Sequence, residues 1–243
     1  MKEAPFTIKK VFSYSWETYK HHIGFMLILM IALFGTSILF GWVQGLVENA
    51  RVLLMLITGL SWLVQLIIGM LLIHIVLQLL DTHTANVQAA TESFDSFWKY
   101  LGGVLLTSLI VTAGFFLLII PGIYLAIRLQ FVQYLIVDKQ YAPLDALQKS
   151  FELSRGIVFE LFLLMIIFFV INVVGAALFG LGLLVSVPVT LIATAYVYRV
   201  LLGMSPELPV AAKAHIGEAV QTHTPPTQSV SYTHLTLPTK VTV

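Results

Sequence analysis

Residues Val52–Leu80 read VLLMLITGLSWLVQLIIGMLLIHIVLQLL. The run contains no Asp, Glu, Lys or Arg, and its bulkiest polar side chains are Gln65, His74 and Gln78. Crossing the hydrocarbon core of a bilayer takes about 20 mostly apolar residues in a helix. Within lipid only helices and closed barrels satisfy every backbone N–H and C=O. A continuous apolar run, rather than an alternating one, selects the helix. Val52–Leu80 therefore reads as a membrane-spanning helix.

Working outward, similar runs lie on both sides: Gly24–Val47 before it, then Leu101–Ile120, Ile123–Val137, Ile157–Phe179 and Leu181–Leu202 after it. Pro121–Gly122 is a strong turn signal between the third and fourth runs, and Gly180–Leu181–Gly182 separates the fifth from the sixth. Pro188 is a candidate kink in the sixth. At 1.5 Å per residue, Ile123–Val137 extends only about 22 Å, short of the ~30 Å core. It either spans with help from flanking residues or forms a re-entrant hairpin with the third run. The expected fold is all-α: a polytopic membrane bundle of about six transmembrane helices with three interfacial amphipathic helices.

Composition agrees. Of 243 residues, 58% are hydrophobic and 10% charged, whereas a soluble domain carries about 25% charged residues. No basic tract points to nucleic acid. The absence of cysteine excludes a disulfide framework and thiolate metal sites. The N-terminal stretch is interrupted by Lys9, Lys10, Glu17 and Lys20, so it lacks a signal peptide's continuous apolar segment.

Three parts are expected along the chain: an integral membrane domain over 1–204, a polar, disordered cytoplasmic tail over 205–229, and 230–243. Within the last, Val230–Thr239 reads VSYTHLTLPT. It resembles a translated transposase-end adapter from DNA library preparation. We set 230–243 aside as an artefact, and on that reading the natural C-terminus is not represented.

Charge is distributed unevenly between the connectors. Arg51 is the lone basic residue on one side, against Lys2, Lys9, Lys10, Lys20, Lys99, Lys139, Lys149, Arg155, Arg199 and Lys213 on the other. The positive-inside rule then places both termini in the cytoplasm of a multi-pass protein of the cell membrane.

An amphipathic stretch precedes each odd-numbered run. Ile8, Val11, Phe12, Trp16 and Tyr19 oppose Lys9, Lys10, Ser13, Glu17 and Lys20. Phe94, Phe97, Trp98 and Leu101 oppose Asp95, Ser96 and Lys99; Leu144, Leu147 and Phe151 oppose Asp145, Lys149 and Glu152. Such stretches lie in the interface with their aromatic face against the acyl boundary. Trp16, Tyr19, Trp98 and Phe151 are the expected interfacial anchors. The unit of amphipathic helix, span, short turn and span recurs three times, which suggests an internal structural repeat.

Pro121–Gly156, PGIYLAIRLQFVQYLIVDKQYAPLDALQKSFELSRG, resembles the bacterial YciC-like proteins and the related membrane domain attached to glycerophosphodiester phosphodiesterases. Pro121, Gly122 and Ile123 match the opening of that pattern, Asp138 and Lys139 its close, and Ala146, Ser150 and Ser154 its amphipathic helix. The layout of six spans over Phe6–Gly203 agrees. The resemblance implies membrane placement without the phosphodiesterase chemistry, because no soluble catalytic portion is present.

Arg128 is the sharpest single residue, expected well inside the membrane, where a charge costs roughly 2.5–3.5 kcal/mol on insertion scales. Tyr124, Gln130, Gln133, Glu160 and Asn172 complete the candidate intramembrane polar site. Either Arg128 binds an anionic group of a lipid or substrate, or it is clamped internally to backbone carbonyls and Gln130 or Gln133. Glu160 is its candidate ion-pair partner or a snorkelling surface residue. Asn172, Gln65, Gln78 and His74 read as interhelical hydrogen-bonding groups. His21 and His22 lack partners at metal-ligand spacing. Ser150 and Ser154 have no neighbouring His to activate them, and no catalytic or cofactor-binding motif is found.

Three functions compete. The leading one is a non-enzymatic envelope scaffold or homeostasis factor, with the bilayer and other membrane proteins as partners. The others are a transporter or binder of an anionic small molecule or lipid, and a lipid-metabolising membrane enzyme built around Asp138, Ser150 and Glu160.

Overall fold

A computed structural model describes residues 5–82, 96–178, 180–204 and 206. Among these there is no strand. The helices are α1 (Ile8–His21), α2 (Ile23–Leu46), α3 (Arg51–Thr82), α4 (Phe97–Leu117), α5 (Ile119–Leu129), α6 (Val132–Lys139), α7 (Pro143–Leu153), α8 (Val158–Ala177) and α9 (Leu183–Leu201). Six segments are long and apolar enough to cross a membrane: α2, α3, α4, the pair α5–α6 together over Ile119–Lys139, α8 and α9. Their outward faces carry Ile28, Ile38, Met55, Leu109, Phe116 and Phe169, all more than half exposed. Water would penalise such a surface and lipid would not, so this is a multi-pass helical membrane protein.

The spans divide into two layers. In α2, α4 and α8 only 11%, 17% and 17% of the apolar stretch is buried. In α3, α5–α6 and α9 the shares are 44%, 44% and 61%. Each hairpin thus pairs an outer span with an inner one, three times in succession. The inner spans share one core that includes Leu79, Leu80, Phe131, Leu135, Ile192 and Tyr198. With 32 residues, α3 is about 48 Å long against ~30 Å of hydrocarbon. At least one of its ends therefore projects past the hydrocarbon.

The fourth segment takes the lengthened of its two expected forms, with an unexpected break. It extends over 21 residues, Ile119–Lys139, which removes the length deficit, and a turn at Gln130–Phe131 breaks it into α5 and α6. Pro121–Gly122 does not make the reversal. Leu118 does, with extended backbone at φ −165° and ψ 154°. Pro121 instead occupies the first turn of α5, where its missing N–H costs nothing. A Cβ on Gly122 would collide with the Phe115 ring, and one on Gly114 would crowd the Gly122 backbone. Gly175 and Gly182 meet in the same way between α8 and α9. By contrast, nothing lies within 4 Å of where a Cβ would stand on Gly45 or Gly59 in the α2–α3 hairpin. That pair is joined by Gln65 Nε2 donating to Ser37 Oγ at 2.7 Å and Gln44 Nε2 donating to Ser61 Oγ at 3.3 Å.

Two of the three expected amphipathic helices are described. In α1 the buried positions are Val11, Tyr14, Ser15, Thr18 and Tyr19, turned toward α9. Tyr14 packs on Tyr196 at 4.5 Å between ring centroids, and burial pushes its pKa up to about 12. The expected anchor Tyr19 is therefore corrected: at 1% exposure it belongs to the protein core, because α1 turns a different face inward than its aromatic spacing suggested. Trp16 remains outside, 46% exposed. In the second stretch, Phe97, Trp98 and Leu101 begin α4 itself, with Trp98 77% exposed, whereas Phe94 and Asp95 lie outside the described residues. α7 buries Ala146, Leu147 and Ser150 against α4, α5 and α6. Lys2, Phe179, Lys213 and both tail segments (205–229 and 230–243, apart from Pro206) also lie outside the described residues.

Candidate functional site

Arg128 stands in the last turn of α5. Its Nη1 donates to Tyr124 Oη at 2.6 Å and its Nη2 donates to the Phe151 carbonyl at 2.8 Å. Ser150 Oγ returns a bond to the Arg128 carbonyl at 2.7 Å. The last carbonyls of any helix lack intrahelical partners. Here the ends of α5 and α7 cap one another, and a cation at a helix C-terminus is favourable in itself. The guanidinium also lies over the Phe151 ring at 4.8 Å and the Tyr124 ring at 5.4 Å.

The internal-clamp reading of Arg128 thus acquires a partner, the Phe151 carbonyl, but the expected Gln partners are not those it uses. Gln130 Nε2 is buried without a hydrogen bond among the described residues, and Gln133 is half-buried. Glu160, in the first turn of α8, forms no ion pair among the described residues. Arg128 is tied to the end of α7, where Lys149 and Glu152 form an exposed ion pair at 2.7 Å. Phe151, expected as an anchor in lipid, is half-buried and supplies a ring and a carbonyl to Arg128.

Asn172 bonds both along its own helix and across to the next. Asn172 Nδ2 donates to the Phe168 carbonyl at 2.8 Å, and Ser186 Oγ donates to Asn172 Oδ1 at 2.9 Å, joining α8 to α9. Ser154 Oγ donates to the Ser150 carbonyl at 2.8 Å. The Ser150 and Ser154 hydroxyls are thus both bonded to backbone carbonyls. Among the described residues no group of three His, Asp or Glu side chains is placed to hold a metal.

A second polar centre escaped the sequence reading. Arg199, counted there as a connector cation, lies inside α9 and is 2% exposed. Its Nη1 donates to Asp138 Oδ2 at 2.8 Å and its Nη2 donates to Asp81 Oδ2 at 2.5 Å. Tyr198 Oη donates to the same Asp138 oxygen at 2.9 Å, and Lys139 lies 3.3 Å from it. One charged residue near the end of each inner span (α3, α6 and α9) thus joins this cluster, with Arg199 bridging the two carboxylates. They border a cavity of about 200 Å³ that His74, Gln78 and Thr82 also line. The available signal was positional: Asp81 and Asp138 directly follow their apolar runs, Arg199 stands in the last turn of the sixth, and their signs are complementary.

The larger grooves are apolar. One of about 550 Å³ runs between α1, α8 and α9 from Phe12 and Trp16 to Leu178 and Gly182. Another, of about 410 Å³, lies between α5 and α8 beside Tyr124. No family model, curated protein or solved structure matches this chain.

Proposed function

We propose that the chain is a non-enzymatic scaffold or homeostasis factor of the cell envelope, with both termini in the cytoplasm and the bilayer and other membrane proteins as its partners. One observation carries this reading. The prominent polar groups of the membrane domain make bonds inside the protein: Arg199 with Asp81 and Asp138, Arg128 with Phe151, Asn172 with Ser186 and Gln65 with Ser37. A transporter needs such groups directed at its substrate, and an enzyme needs some of them at a reacting bond. The YciC-like resemblance is compatible with this role and adds membrane placement to it. The connector charges support the orientation without Arg199, since the remaining basic residues keep the same bias.

The test reconstitutes the full chain in phosphatidylcholine vesicles loaded with anionic reporters, and follows both flux and lipid composition. The scaffold reading predicts neither flux above protein-free vesicles nor any new lipid species. Flux abolished by Arg128→Ala, in protein that remains folded, would establish the transport reading in its place.

A further inference from the structure

Buried Arg199 and half-buried Arg128 differ in one respect. Arg199 is neutralised by two carboxylates. Arg128 has no acidic partner among the described residues, and its Nε is buried without a hydrogen bond. Carbonyls and ring faces stabilise a guanidinium but leave its full positive charge. Such a charge in low-dielectric surroundings attracts a counter-anion strongly.

Its surroundings specify the kind of anion. Beside Tyr124, whose hydroxyl accepts from Arg128, begins the groove of about 410 Å³ lined by Ile120, Ile123, Ile127, Val158, Phe159 and Phe162. Its rim is open, with Ile120 80% and Phe159 65% exposed, so it faces lipid. Arg128 itself is held by the Phe151 carbonyl at the end of α7, where Lys149 and Glu152 form an exposed ion pair. A cation without an acidic partner among the described residues, beside an apolar groove, matches one molecule end to end. We infer that Arg128 and the α5–α8 groove form a binding site for an anionic glycerophospholipid, with phosphate at the guanidinium and one acyl chain along Ile123 and Phe159. Arg128 then has two roles: its Nη bonds hold α5 to α7, and its unpaired charge selects the headgroup.

The test offers the full chain, in detergent, equal amounts of phosphatidylglycerol and phosphatidylcholine with identical acyl chains, and reads retained lipid by native mass spectrometry. One phosphatidylglycerol is expected to be retained in preference. Arg128→Gln should reduce that preference about tenfold, which corresponds to ~1.4 kcal/mol, while Arg128→Lys should keep part of it. Ile123→Trp fills the groove without touching the guanidinium and should lower retention of both lipids. It decides the matter if Arg128→Gln fails to fold, as judged by helical circular dichroism. Equal retention of the two lipids by the unaltered chain, or undiminished retention in folded Ile123→Trp, would overturn the proposal. So would displacement by inorganic phosphate alone, which marks a free-anion site, or a lipid-free dimer, which marks a second copy as the occupant.

Discussion

Arg128 and Arg199 show how position decides what a charge does. Both sit near the ends of helices that belong to the inner layer. Arg199 is sealed at 2% exposure between carboxylates whose side chains are 12% exposed at Asp138 and 46% exposed at Asp81. Removing one partner of a buried ion pair leaves an uncompensated charge, which costs about 3–5 kcal/mol. Arg199→Ala strands Asp138 and should lower stability by that order, read as a loss of thermal midpoint in detergent. Asp81→Asn alters the half-exposed arm, leaves Asp138 in place, and should cost at most about 1 kcal/mol. Equal losses from the two would contradict the geometry. Arg128 stood out in the sequence as a charge inside an apolar run, whereas Arg199 was absorbed into the count of connector cations. Its partners are 61 and 118 residues away, a pairing that no local spacing reveals.

The helices themselves hold together mainly by close approach. Lipid tails are as apolar as leucine, so association in a membrane depends on packing and on small residues at the contact. A Cβ on Gly182 would meet the Gly175 backbone at 2.6 Å, and overpacking of this kind costs about 1–3 kcal/mol. Gly59 has open space instead, and alanine is favoured over glycine in a helix by about 1 kcal/mol. Gly182→Ala should therefore lower the melting temperature, and Gly59→Ala should leave it unchanged or raise it. A matched response from both would show that the α8–α9 contact is not tight. At this scale the apolar runs located the spans well, since length and continuity are enough to mark a crossing. They did not locate the reversal at Leu118 or the break at Gln130–Phe131, because Pro121–Gly122 carried the stronger local turn signal. The rotation of α1 was equally hidden: Tyr14 and Thr18 are buried while Trp16 is exposed, and aromatic spacing does not distinguish a lipid-facing ring from a protein-facing one.

In the whole molecule three outer spans surround three inner ones, and the inner ones meet at Asp81, Asp138 and Arg199. The sequence repeat of amphipathic stretch and paired spans anticipated the units but not which span of each lies inside. In water that distinction appears as a polar face on the outer helices. In lipid both faces are apolar, and the signal vanishes. The absence of native cysteine makes the crossing number directly measurable with single-cysteine variants and a membrane-impermeant maleimide applied to intact cells. Lys10, Asn49 and Tyr141 are exposed at connector positions. Six crossings with cytoplasmic termini predict that Asn49→Cys is labelled from outside, while Lys10→Cys and Tyr141→Cys are labelled only after the membrane is opened. Labelling of Asn49→Cys and Lys10→Cys from the same side would contradict the account.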